Sequence, residues 1–161
     1  MRLLRFYIAV LIIVFAVQAA KAQSINNVLT AYFTVKNDLV ADNASAAKTH
    51  VVDLSSAVKA VTADKIPAEQ LPAWKRVQLS ATHIGEAKDI DMQRDYFAVL
   101  SDNMITLTKA LKFNSAPVYQ QYCPMKKVNW LSEAPAIKNP FYGKQMLTCG
   151  QVTETLVAAD K

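Results

Sequence analysis

Two cysteines occur in the 161-residue chain, Cys123 and Cys149, and each has a methionine close by. Cys123-Pro124-Met125 sets a thiol and a thioether two residues apart, and Met146-Leu147-Thr148-Cys149 sets a second pair at i, i+3. In a turn, either spacing can aim both sulfurs at one ion. Cu(I) and Ag(I) are soft ions that favour thiolate and thioether ligands, whereas zinc asks for Cys or His in four places. One soft ion, Cu(I) above all, held by Cys123, Met125, Met146 and Cys149, is therefore one chemistry these residues offer. His83 is a further candidate metal ligand, because imidazole also binds copper.

Plainer readings of the same residues stay open. Methionine is an adaptable core filler, and a histidine on a helix is more often solvated or hydrogen-bonded than metal-bound. The two cysteines of an exported chain can also pair, and only the Cys123–Cys149 connectivity exists. Such a staple would contribute ~3 kcal/mol or slightly more. The alternative is thus a non-metal protein-interaction domain stapled by a Cys123–Cys149 disulfide. No enzyme is expected: the sequence has no G-x-S-x-G, H-E-x-x-H, P-loop, dinucleotide fingerprint or Cys-x-x-Cys redox motif.

Export is read from the first residues. Arg2 and Arg5 precede an apolar run from Tyr7 to Val17, and Ala20-Lys21-Ala22 has the small-x-small pattern of a signal-peptidase site. The apolar run is short for a membrane span, which needs ~20 such residues. Residues 1–22 are therefore expected to be a cleaved signal peptide, and residues 23–161 one periplasmic or secreted domain without a membrane segment. Without Arg2, Arg5 and Lys21 the remainder carries 15 basic against 13 acidic residues, a formal charge of +2. The charges are scattered, so neither nucleic acid nor a membrane surface is an expected partner.

The elements that must position the sulfurs follow from periodicity. Apolar residues recur at spacings of three and four in four stretches: Ile25 to Leu39, Ala47 to Val61, Trp74 to Ile84 and Phe97 to Leu111. Each is one stripe of an amphipathic helix. Asp42-Asn43 can cap the second helix, Pro67 and Pro72 interrupt the chain before the third, and Asp89 or Asp91 can start the fourth. Asn114 to Pro117 stops it. The expected fold is mainly all-α: an antiparallel four-helix up-and-down bundle over residues 24–113, with a small C-terminal cap of short strands and helix over 117–157. In the cap, "PVYQQYC" and "CGQVTETL" have strand character, which would bring Cys123 and Cys149 together if they pair. Trp130 to Ile137 is expected as a short helix between them, followed by the turn "NPFYG".

The ordered motifs "YCPM", "WLS", "I-x-NPFYG", "ML-x-CG" and "V-x-ET" resemble a known family, domain-of-unknown-function family 3347. The resemblance is specific from Tyr119 to Thr155, and over the helices only "F-x-x-LS" at Phe97 to Ser101 is similar. It implies an exported bacterial domain, found alone or fused to adaptor subunits of copper and silver efflux systems. It therefore also implies partners among heavy-metal efflux components, with sequestration or handover of the metal as the role. Many members carry His immediately before the first cysteine; Tyr122 stands there in this chain.

Overall fold

The computed structural model describes residues 25–158; the expected signal peptide, residues 1–22, lies outside the described residues. The described residues are mainly helical, with four α-helices followed by a small antiparallel sheet. Helix α1 covers 25–40 and buries Ile25, Val28, Leu29, Tyr32, Val35 and Leu39 on one stripe. Asp42 turns the chain at φ 58, a left-handed conformation that Asp tolerates better than most residues. Asn43 then caps α2 (Ala44–Ala60) by accepting from the N–H of Ala46.

Two short 3-10 turns, Ala63–Lys65 and Ala68–Gln70, lead into α3 (Leu71–Glu86), with Ile66 buried between them and Pro72 in the first turn of the helix. That position suits proline, since its missing N–H has no intrahelical acceptor there. Asp89 caps α4 (Ile90–Leu111) through the N–H of Met92, and Lys112 ends it at φ 46. The stripes meet as the spacing requires: α3 packs on both α2 and α4. Helix α1 joins α4 through the stacked rings of Tyr32 and Phe97, 5.1 Å apart, and the 2.8 Å hydrogen bond between Tyr32 and Ser101. Among the described residues no helix is long and apolar enough to cross a membrane.

Three strands follow, β1 (Val118–Cys123), β2 (Val128–Ser132) and β3 (Gln151–Leu156), in the order β2-β1-β3 with both pairings antiparallel. The two segments expected to be strands do pair, with Tyr122 opposite Gln151. The short helix expected over Trp130–Ile137 is not formed: Trp130 to Ser132 belong to β2, and bends follow. Pro135 explains part of this, because it donates no backbone hydrogen bond and disfavours helical φ/ψ in the residue before it. Pairing supplies the rest, since β2 hydrogen-bonds to β1 through a tight turn and the stretch has the valine and aromatic content of a strand.

Neighbouring residues of a strand point to opposite faces, and Trp130 and Leu131 are both fully buried, so β2 is covered on both sides. Trp130 meets Phe141 edge-on at 5.9 Å, and Phe141 lies 5.9 Å from Phe97 of α4. The loop after β2 is thereby wedged into the helical core.

Candidate metal centre

Cys123 ends β1 and is fully buried. The turn after it closes by a 2.8 Å hydrogen bond from the Lys127 N–H to the Cys123 carbonyl, with Lys127 at φ 58. Lys126 anchors the turn to α4 through Asp95 at 2.8 Å. Met125, at the tip, is 64% exposed.

Cys149 is placed by the loop that opens with "NPFYG", and the residue that closes that loop is Asn139. Its side chain is fully buried, donates to the Cys149 carbonyl at 2.7 Å and accepts from the Phe141 N–H at 2.8 Å. Its backbone N–H reaches the Leu147 carbonyl at 2.8 Å, and its carbonyl accepts from Gly143 at 3.0 Å. One residue thus closes both ends of the loop that carries Cys149. Gln121, buried on β1, holds the approach to this loop, donating to the Ala134 carbonyl at 3.0 Å and to those of Pro135 and Ala136 at 3.3 Å.

Arg94 of α4 clamps the same loop to the helices. It donates to the carbonyls of Pro140 at 2.9 Å and Leu39 at 3.1 Å, and to the Asp42 carboxylate at 2.6 Å. Asp42 in turn accepts from the Lys144 N–H at 3.0 Å. That hydrogen bond and the Arg94 guanidinium hold the Asp42 carboxyl below its ordinary range. Gly143 sits at φ 53 in this clamp, and a Cβ there would overlap the Asp42 carboxylate and the Arg94 guanidinium. At Gly150, φ 150, a Cβ would stand 2.9 Å from the Trp130 ring and 3.0 Å from the Tyr122 carbonyl, so the missing side chain lets the chain close on β1.

These constraints bring the Sγ atoms of Cys123 and Cys149 to 3.9 Å, across 26 residues of sequence. Both are free thiols. Cys149 is half-buried; partial desolvation and the adjacent Cys123 thiol push its pKa above the ordinary thiol value, and the Met125 backbone N–H opposes that rise. With thiolate–metal bonds of about 2.3 Å, sulfurs 3.9 Å apart subtend about 115° at a shared ion, the angle of a three- or four-coordinate site. The same separation is about 2 Å longer than a disulfide bond, which asks only for small side-chain movements to close.

Of the other candidates, Met146 is half-buried in the turn before Cys149, whose N–H donates to the Met146 carbonyl at 3.0 Å. Met125 borders the thiols through its backbone N–H, with its side chain turned to solvent. His83 is half-buried on α3 and packs against Tyr96 of α4, with ring centroids 4.8 Å apart. Among the described residues no group of three or more His, Cys, Asp or Glu side chains able to hold a metal ion is found. In sequence Asn139 reads as a turn residue and Asp42 as part of a helix cap, and nothing there marks Gln121 or Arg94. The one signal for Asn139 was its place in the "NPFYG" motif.

No curated protein and no solved structure matches the chain. A family match covers residues 28–116, from α1 to the residues just before β1, under the description "Protein of unknown function (DUF3347)". The match lies on the helices, and the cysteine-bearing motifs from Tyr119 onward fall beyond it. Spanning more than half of the chain, it shows that this protein belongs to the DUF3347 family.

Proposed function

We propose that the protein is an exported domain that binds one soft monovalent ion, Cu(I) or Ag(I), for sequestration or for handover to a heavy-metal efflux system. Cys123 and Cys149 supply thiolates, and Met146 and, once its exposed side chain swings in from solvent, Met125 complete the coordination as thioethers. His83, half-buried against Tyr96, remains a further candidate donor. The observation that carries the reading is the 3.9 Å approach of two thiols, each with a methionine close by in sequence, a sulfur-rich set that suits a soft ion over zinc. In this reading the four helices form an up-and-down bundle, supported by the packing of α3 on α2 and α4 and by the short connections between successive helices. The helices are the rigid support, no catalytic role is assigned, and the partners are efflux adaptor components.

The second reading is a stapled interaction domain, favoured by the same sulfur proximity and by the complete burial of Cys123. A competition titration of reduced protein against a Cu(I) chelator separates the two. On the metal reading, wild type withdraws one Cu(I) equivalent and takes up Zn(II) weakly. Cys123→Ser nearly abolishes Cu(I) uptake, and Met146→Leu and Met125→Leu weaken it with little change in melting temperature, since Leu keeps much of the volume. Wild type that leaves the chelator fully loaded overturns the metal reading.

A further inference from the structure

The two sulfurs differ in access. Cys123 is fully buried at the end of β1, whereas Cys149 is half-buried on a turn at the surface. Extending the β1–β3 register by one step from Tyr122–Gln151 sets Cys123 opposite Gly150, with Cys149 one residue further on. Gly150 carries no side chain to hold the two strand ends apart, and Asn139 keeps the Cys149 backbone in place. An outside reagent can therefore reach one sulfur only, while the second waits 3.9 Å behind it.

We infer that Cys149 is a modification site for low-molecular-weight disulfides and that Cys123 is its resolving thiol, so that the pair closes reversibly. The Cys149 thiolate attacks one sulfur of a disulfide RS–SR; the S–S bond breaks, a Cys149–SR bond forms and the first RS⁻ leaves. The Cys123 thiolate then attacks the Cys149 sulfur, the Cys149–SR bond breaks and the second RS⁻ departs. Two electrons pass from the cysteine pair to RS–SR, and the two protons shed by the cysteines end on the two RSH products. An excess of small thiol reverses both steps. The inference stands on the thiol pair and does not require the metal reading; where that reading holds, closing the disulfide consumes both thiolate ligands and releases the ion.

The test is a time course of intact mass after adding oxidised glutathione to reduced protein. Wild type passes through a transient glutathione adduct and ends two hydrogens lighter, and dithiothreitol restores the starting mass. Cys123→Ser accumulates a stable one-to-one adduct, and Cys149→Ser reacts at least ~10-fold more slowly because its remaining thiol is buried. Should either variant fail to fold by circular dichroism, acid-quenched wild type is digested instead, and the transient adduct is expected on the peptide containing Cys149. Equal reactivity of the two variants, an adduct mapped to Cys123, or wild type that stops at the adduct overturns the inference. Cu(I) titration of the closed and re-reduced protein follows. Uptake only after reduction agrees with metal release on oxidation, equal uptake by the closed form overturns that release, and no uptake by either form removes the metal reading while the order of exchange stands on the mass data.

Discussion

The Asn139 side chain donates to the Cys149 carbonyl at 2.7 Å and accepts from the Phe141 N–H at 2.8 Å, so a buried amide with no sulfur chemistry of its own fixes where the second thiol stands. Asn139→Ala leaves a carbonyl and an N–H without partners inside the fold, which costs about 1–3 kcal/mol. The urea midpoint should fall accordingly. On the metal reading, apparent Cu(I) affinity should also fall by roughly tenfold or more, as for loss of a supporting hydrogen bond behind a ligand. Unchanged affinity in a destabilised but folded variant would limit Asn139 to a structural role.

Acid should loosen the clamp around the loop. The Lys144 N–H and the Arg94 guanidinium hold Asp42 below its ordinary value, so its folded pKa lies under its unfolded one. The stability it contributes is present above the unfolded value, about pH 4, and is lost as pH falls through the folded value. Asp42→Asn keeps a residue that tolerates φ 58 but removes the charge. Thermal unfolding followed downward from pH 6 should show a steeper acid loss in wild type than in Asp42→Asn, with the variant already less stable at pH 6. Parallel curves would contradict the assignment.

Lys36 of α1 and Glu133 after β2 form a 2.6 Å ion pair with unequal burial, the side chains being 2% and 44% exposed. Burial lowers the Lys36 pKa, and the hydrogen bond and charge of Glu133 oppose that fall. Glu133→Gln leaves a buried ammonium without its countercharge, at a cost on the order of 3 kcal/mol. Lys36→Met leaves a carboxylate that still reaches water, at about 1 kcal/mol. Urea unfolding at pH 7 should rank the variants in that order. The Glu133→Gln deficit should shrink as pH rises toward the lysine range, where Lys36 sheds its proton in the folded state first. A larger loss in Lys36→Met would reverse the argument.

What the sequence determined by itself was the mainly helical part. The stripe Val28, Tyr32, Val35 and Leu39 and the caps Asn43 and Asp89 are properties of consecutive residues, and a 3.6-residue period needs no knowledge of distant neighbours. The strand character around Cys123 and after Cys149 was legible for the same reason. The strand at Trp130 was not, because five residues are too few to declare a period and the pairing with β1 that fixes them is not written locally. Tertiary structure alone decided the separation of the two thiols. That distance depends on Asn139 closing its loop, on Arg94 and Asp42 tying the loop to the ends of α1 and α4, and on two glycines where a Cβ would collide. Each is an ordinary polar or small residue in sequence, and its role exists only where hydrogen-bond partners come together from segments up to 102 residues apart, as between Lys144 and Asp42.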